Sequence, residues 1–291
     1  MSVAWLAISI GGLVLGILAY GLAGAMLHDG SRAAKGALRS RVWWLGTALQ
    51  GVGFVGTLLA RRALPVVVVQ ASSSAGLAVT VLIQQFTGVQ RLGRRAMAAI
   101  GMLLVGLGLI AWSIVPGPAV PIRTVHLWLL AGCAALTGAL TIVPLPAWAS
   151  GAVSGLGFSY AAIAARLLMG DTLPALWRLW QLPGSAWASG LSMVTGILLG
   201  QYHLTRGLAS GSAPAVLGAM YTVESILPAT IGFCLLAETP RPGAFAELLS
   251  GVLLAVLGAC LLASEQPDVP ATEWSPRQEP TQDRAAARHE K

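Results

Sequence analysis

Nine stretches of this 291-residue chain are long and apolar enough to cross a lipid bilayer, and that feature excludes nearly every soluble fold. A helix covers the hydrocarbon core with about 20 mostly apolar residues. The runs lie at 3–27, 42–60, 64–86, 96–115, 125–143, 147–169, 185–205, 212–237 and 243–263. Only 10% of the residues are charged, against about 25% in a soluble domain. The reading is an all-α membrane protein of nine transmembrane helices, with a polytopic domain over 1–263. Residues 264–291 are Pro-rich, Gln-rich and mixed in charge, and are expected to form a disordered cytoplasmic tail.

The formal charge of +7 does not point to nucleic acid, because the basic residues sit in short clusters between apolar runs and no nucleic-acid motif is present. Basic residues instead report orientation. With the N-terminus outside, twelve of them fall on the inner side, led by Arg32, Lys35, Arg39 and Arg41, and six on the outer side. The bias predicts N-out, C-in insertion, and the excess of Arg over Lys suggests a bacterial plasma membrane. The first run lacks a basic leader and is too long for a signal-peptide core, so it reads as a span.

The chain also resembles itself. Ala4, Trp5, Gly12 and Leu13 match Ala147, Trp148, Gly155 and Leu156 at an offset of 143. Gly56, Arg62 and Leu64 match Gly200, Arg206 and Leu208 at 144, and Gly101 to Gly108 matches Gly251 to Gly258 at 150. Spans one to four (about 3–115) then correspond to spans six to nine (about 147–263), with 125–143 as a connector helix. A shift of five spans reverses the direction of entry. The expected architecture is therefore two inverted four-helix repeats, a plan common among transporters, whose substrate sites lie near the midplane between the copies.

Certain residues carry a family likeness. Arg41, Trp43, Trp44 and Gly46, then Phe54 and the run from Ala63 through Pro65 to Gln70, resemble the first-repeat core of NIPA-type membrane proteins. The second half adds Tyr202 to Leu208, Met220 to Ser225, Glu238, and a closing helix from Gly251 to Leu262, similar to EamA-like repeats. Both groups belong to the drug/metabolite transporter superfamily, and the likeness spans about residues 3–263. It implies a bundle of inverted repeats that moves nucleotide sugars, amino acids, drugs, metabolites, lipid-linked sugars or, for NIPA-type members, magnesium. The acidic residue of that family in the span after the paired tryptophans is absent here, where the run is Gln50 to Phe54. Magnesium prefers carboxylate-containing oxygen sites, so this departure argues against a magnesium permease.

Glu224 is the outstanding candidate, a carboxyl at the centre of span eight, where a charge costs about 3 kcal/mol or more. It can exchange a proton or bind a cation; alternatively it is a structural carboxyl hydrogen-bonded between helices. Tyr221 lies one turn before it. Gln70 and Ser74 occupy the matching span of the first copy and are expected at equivalent depth, unless the serine hydroxyl simply returns to its own helix. His203 is a candidate proton relay, against the plainer reading of Gln201, Tyr202, His203 and Arg206 as an interfacial belt. Trp43, Trp44, Trp148, Trp177 and Trp180 suit such belts. A surface ion pair is expected where Arg241 lies between Glu238 and Glu247. The GxxxG spacings at Gly12–Gly16, Gly151–Gly155 and Gly196–Gly200 suit close helix packing.

Cys133, Cys234 and Cys260 have no ligand spacing, and no Gly-x-Ser-x-Gly, HExxH or paired-carboxylate pattern occurs, so neither an enzyme nor a cofactor or metal site is expected. The leading expectation is a secondary transporter whose partners are the bilayer and a small-molecule or ion substrate, with a homodimer left open. The alternatives are a non-transporting scaffold subunit of an envelope or lipid-processing complex, and a magnesium permease.

Overall fold

In hydrocarbon every backbone N–H and C=O must find its partner inside the protein, which leaves the helix as the default element. The computed structural model follows this rule. It describes residues 3–60, 69, 75–88, 93–115, 120–171, 178–236 and 239–264. The helices among them are α1 (Val3–Ser31), α2 (Arg41–Ala60), α3 (Gly76–Phe86), α4 (Arg94–Ser113), α5 (Thr124–Ala139), α6 (Ala147–Asp171), α7 (Gly184–Ser210), α8 (Ala213–Leu235) and α9 (Phe245–Ser264). Two short strands, β1 (Ile114–Val115) and β2 (Thr239–Pro240), pair antiparallel and tie the end of α4 to the α8–α9 turn.

Six of the described helices are long and apolar enough to cross a membrane: α1, α4, α5, α6, α8 and α9. The 20 residues of α2 and 27 of α7 have the length, about 30 and 40 Å at 1.5 Å per residue, but more Gly, Ser, Thr and Gln. Only the second part of the expected third span falls within a described helix, since α3 begins at Gly76. The short connector between α5 and α6 contains a 3-10 turn at Leu140–Ile142 and then Pro144 and Pro146.

Small residues set the packing. α1 and α2 run antiparallel, so close that a Cβ on Gly56 would lie 2.6 Å from the Gly12 carbonyl. α6 and α7 are also antiparallel, and a Cβ on Gly200 would lie 3.2 Å from the Ser154 carbonyl and 3.0 Å from the Phe158 ring. α3 runs parallel to α1, where Gly76 faces Tyr20 and Gly21. α8 runs parallel to α6, where Gly151 faces Val216 and Gly155 faces Met220. α4 and α9 cross antiparallel through Gly106 on the Gly251 carbonyl and Gly258 on the Ala99 carbonyl. All three expected GxxxG segments therefore lie at helix contacts.

α8 is the central helix. Every residue from Gly211 to Thr222 is buried, so its first half has no face turned outward. It contributes to both apolar clusters, one built with Leu27, Leu77, Leu103, Leu107, Leu204 and Leu262, the other with Leu130, Tyr160, Ile163 and Leu167. Outside this core the surface is apolar too, with Leu15, Leu18, Val105, Leu191, Leu198, Leu253 and Leu257 more than half exposed. Such a surface is expected for a protein solvated by lipid.

Candidate functional site

The end of the buried stretch of α8 is where the expected site residues fall. Tyr221 is 6% exposed, and Glu224, half-buried, follows one turn later near the middle of the helix. The electrostatic neighbours of the Tyr221 hydroxyl are Glu224 and Tyr20. Tyr20 belongs to α1, where its ring covers Gly53 of α2, 3.0 Å from the point a Cβ on that glycine would occupy, and its own Cβ meets Gly76 of α3. Tyr221 of the second half thus neighbours both Glu224 on its own helix and Tyr20 of the first half.

The neighbouring elements hold this stretch of α8 in place. Gly155 lets α6 approach Met220 and Val223, and the Ser159 hydroxyl donates to the Val223 carbonyl at 3.3 Å. Thr222 donates to the Gly218 carbonyl at 2.8 Å, so its hydroxyl is absorbed by its own helix. Beyond Glu224 the helix continues through Pro228. Proline has no N–H, so the α-helical bond to the carbonyl four residues earlier cannot form, and that carbonyl belongs to Glu224. A carboxyl and a main-chain carbonyl without its usual helical donor share one residue. In hydrocarbon, such weakened helices are tolerated where they line a cavity or pack in protein.

Gln70 and Ser74, the expected first-half partners, lie outside the described residues. So do Arg61, Arg62, Trp177, Glu238 and residues 265–291, which include most of the expected tail. The described first half offers two other amides with buried polar atoms. Gln50 lies one turn before Gly53, with its buried Oε1 lacking a hydrogen-bond partner. Gln84, 3% exposed near the end of α3, has no partner for either Oε1 or Nε2. Buried amides are normally satisfied. Gln84 was not a sequence-level candidate, because the pair Gln84-Gln85 does not reveal which amide turns inward; Gln85 is exposed.

The expected belt at the end of α7 divides. Tyr202 is 49% exposed, as a belt residue should be, whereas His203 is fully buried. His203 Nε2 lies 3.1 Å from the Thr137 carbonyl. A carbonyl only accepts, so Nε2 carries the proton, and the buried Nδ1 has no partner. Arg206 donates to the Thr141 carbonyl at 3.2 Å. Trp43 is a correction to the belt assignment. It is 6% exposed, and its indole N–H donates to Thr205 Oγ1 at 3.0 Å because Gly30 leaves room for it against α1. Trp44, Trp148 and Trp180 remain exposed. For Arg241 only the pairing with Glu247 can be followed, since Glu238 lies outside the described residues. Among the described residues no ion pair joins it to Glu247; its guanidinium carbon lies 4.2 Å from the centroid of the Trp112 ring.

His126, not singled out by sequence, is 2% exposed and bridges two elements. The Arg123 N–H donates to its Nδ1 at 3.1 Å, so Nε2 is the protonated nitrogen and donates to the Leu235 carbonyl at 3.3 Å. Among the described residues no group of three or more His, Cys, Asp or Glu could hold a metal ion. Comparison with family models, curated proteins and solved structures yields no significant match.

Proposed function

We propose that the chain is a secondary transporter of the drug/metabolite type, moving a small metabolite, drug or cation across the plasma membrane. The observation that carries this reading is Glu224, a mid-helix carboxyl on the central helix, beside Tyr221, which also neighbours Tyr20 of the other half. A carboxyl at that depth is expensive and is usually retained for binding or proton exchange. Gln70 and Ser74 remain the proposed first-half contributors, and His203 the proposed proton relay toward the inner face.

The nine-span, inverted-repeat layout belongs to the same proposal. Its support is the duplicated pattern of contacts: α1 lies antiparallel to α2 and parallel to α3, as α6 lies to α7 and α8. Gly56 and Gly200, matched by the internal repeat, each make a close approach within their helix pair. Insertion with the N-terminus outside and the C-terminus inside follows the charge bias.

The test is a thermal-unfolding screen of the purified protein against cations, amino acids, sugars, nucleotides and cationic drugs, followed by flux into liposomes. A ligand at 100 times its Kd stabilises by about 2.7 kcal/mol. A ligand whose stabilisation and flux both vanish in Glu224→Gln supports the proposal. Flux that survives Glu224→Gln unchanged overturns the mechanism.

A further inference from the structure

A groove of about 200 Å³ opens between α4, α8 and α9 under the β1–β2 pair. Its walls include Ile110, Ile226, Phe233, Leu248 and Val252. Its polar atoms are few: the Thr230 hydroxyl already donates to the Ile226 carbonyl at 2.9 Å, so it offers little to a polar guest. A polar ligand would be desolvated there without compensation. A partner helix, about 10 Å across, is too thick for a space of this volume. The rim residues Phe233 and Phe245 are 59% and 68% exposed and continue into the exposed apolar face of α9 at Leu249 and Leu253. An alkyl chain fits these conditions.

A charge lies next to the groove in the chain. Pro240 is part of the lining, and the next residue is Arg241, whose backbone N–H donates to the Ser113 carbonyl at 2.8 Å. Trp112 covers one face of the guanidinium. A cation–π contact uses that face and leaves the N–H edges free for an anion. Trp and Arg together are typical of headgroup depth. We propose that this groove binds an anionic phospholipid of the bilayer, one acyl chain lying between α8 and α9 and the phosphate meeting Arg241. The proposal does not depend on transport, since it rests on the groove and Arg241 alone.

The experiment uses the full chain in nanodiscs with a phosphatidylglycerol that carries a photoreactive diazirine in its acyl chain. Crosslinks are mapped by peptide mass spectrometry. Labelling is expected on α8 near Phe233 and on α9 near Leu248 and Val252, and unlabelled phosphatidylglycerol should compete better than phosphatidylcholine. Arg241→Gln should weaken that competition about tenfold, the worth of one charge-assisted hydrogen bond. Ala229→Trp fills the groove from α8 and should abolish the labelling; Val252→Trp does so from α9 if the first variant fails to fold. Crosslinks spread evenly over the lipid-facing helices, or unchanged in both tryptophan variants, overturn the site. Equal competition by the two lipids, unaltered in Arg241→Gln, overturns the headgroup assignment. Displacement by a transported drug and not by phosphatidylglycerol would make the groove a substrate site and overturn the lipid.

Discussion

The indole N–H of Trp43 in α2 donates to the hydroxyl of Thr205 in α7 across 3.0 Å, joining two helices that the internal repeat makes equivalent. One turn along, Gln201 reaches Thr47 at 3.4 Å. These bonds clamp the two halves at one end of the bundle. If the halves rock during a transport cycle, this end must open. In a background free of Cys133, Cys234 and Cys260, a disulfide between Thr47→Cys and Gln201→Cys should stop flux, and reduction should restore it. Continued flux with the crosslink formed would show that this end stays shut.

Pro228 weakens α8 one turn after Glu224. Pro228→Ala restores the missing N–H and should raise thermal stability, by up to about 3 kcal/mol on the scale of a helix-interior proline. The same change should slow turnover while leaving ligand affinity within about twofold, a shift of only a few tenths of a kcal/mol. Parallel unfolding and flux measurements separate the two effects. Unchanged turnover with increased stability would remove any role for the weakened helix in the cycle.

The α4–α9 crossing makes a sharp contrast between glycines. A Cβ on Gly106 would stand 2.5 Å from the Ala255 amide nitrogen and 2.6 Å from the Gly251 carbonyl, whereas Gly101 and Gly108 have nothing within 4 Å. Gly106→Val should cost about 1–3 kcal/mol or more, since backbone must move. Gly101→Ala should gain about 0.5–1 kcal/mol by stiffening the helix. Unfolding in detergent, at fixed lipid content, reads both.

His126→Phe keeps a flat ring, somewhat larger than the imidazole, and removes both of its bonds. The Arg123 N–H and the Leu235 carbonyl lose their partner, and each hydrogen bond contributes about 0.5–1.5 kcal/mol. A stability loss of that order is expected, with hydrogen exchange rising first at the start of α5 and the end of α8. A loss under ~0.5 kcal/mol would mean that water replaces the imidazole there.

Six of the spans and the tight glycine contacts were legible because hydrocarbon length and small-residue spacing are properties of the chain itself. Orientation was not. In a helix apolar on every side, no polar stripe tells which face turns inward. Trp43 and Trp44 are neighbours, yet one is buried against Thr205 and the other is 55% exposed. His203 and Tyr202 divide in the same way, and Arg241 finds an aromatic ring where sequence proximity suggested carboxylates. Glu224 stands out in the sequence because a mid-span carboxyl is costly wherever it points. Gln84, Gln50 and His126 were missed because burial, not residue type, makes them notable.

Arg32 closes the loop after α1 by donating to the carbonyls of Leu208 and Gly211, which lie 176 and 179 residues further along the chain. During synthesis those acceptors emerge only after more than two thirds of the polypeptide has been made. Until then the Arg32 guanidinium has neither carbonyl to bond. It becomes a structural anchor only when the α7–α8 turn arrives. A ribosome stalled before residue 208 would hold a first half whose fastening to the second is not yet made.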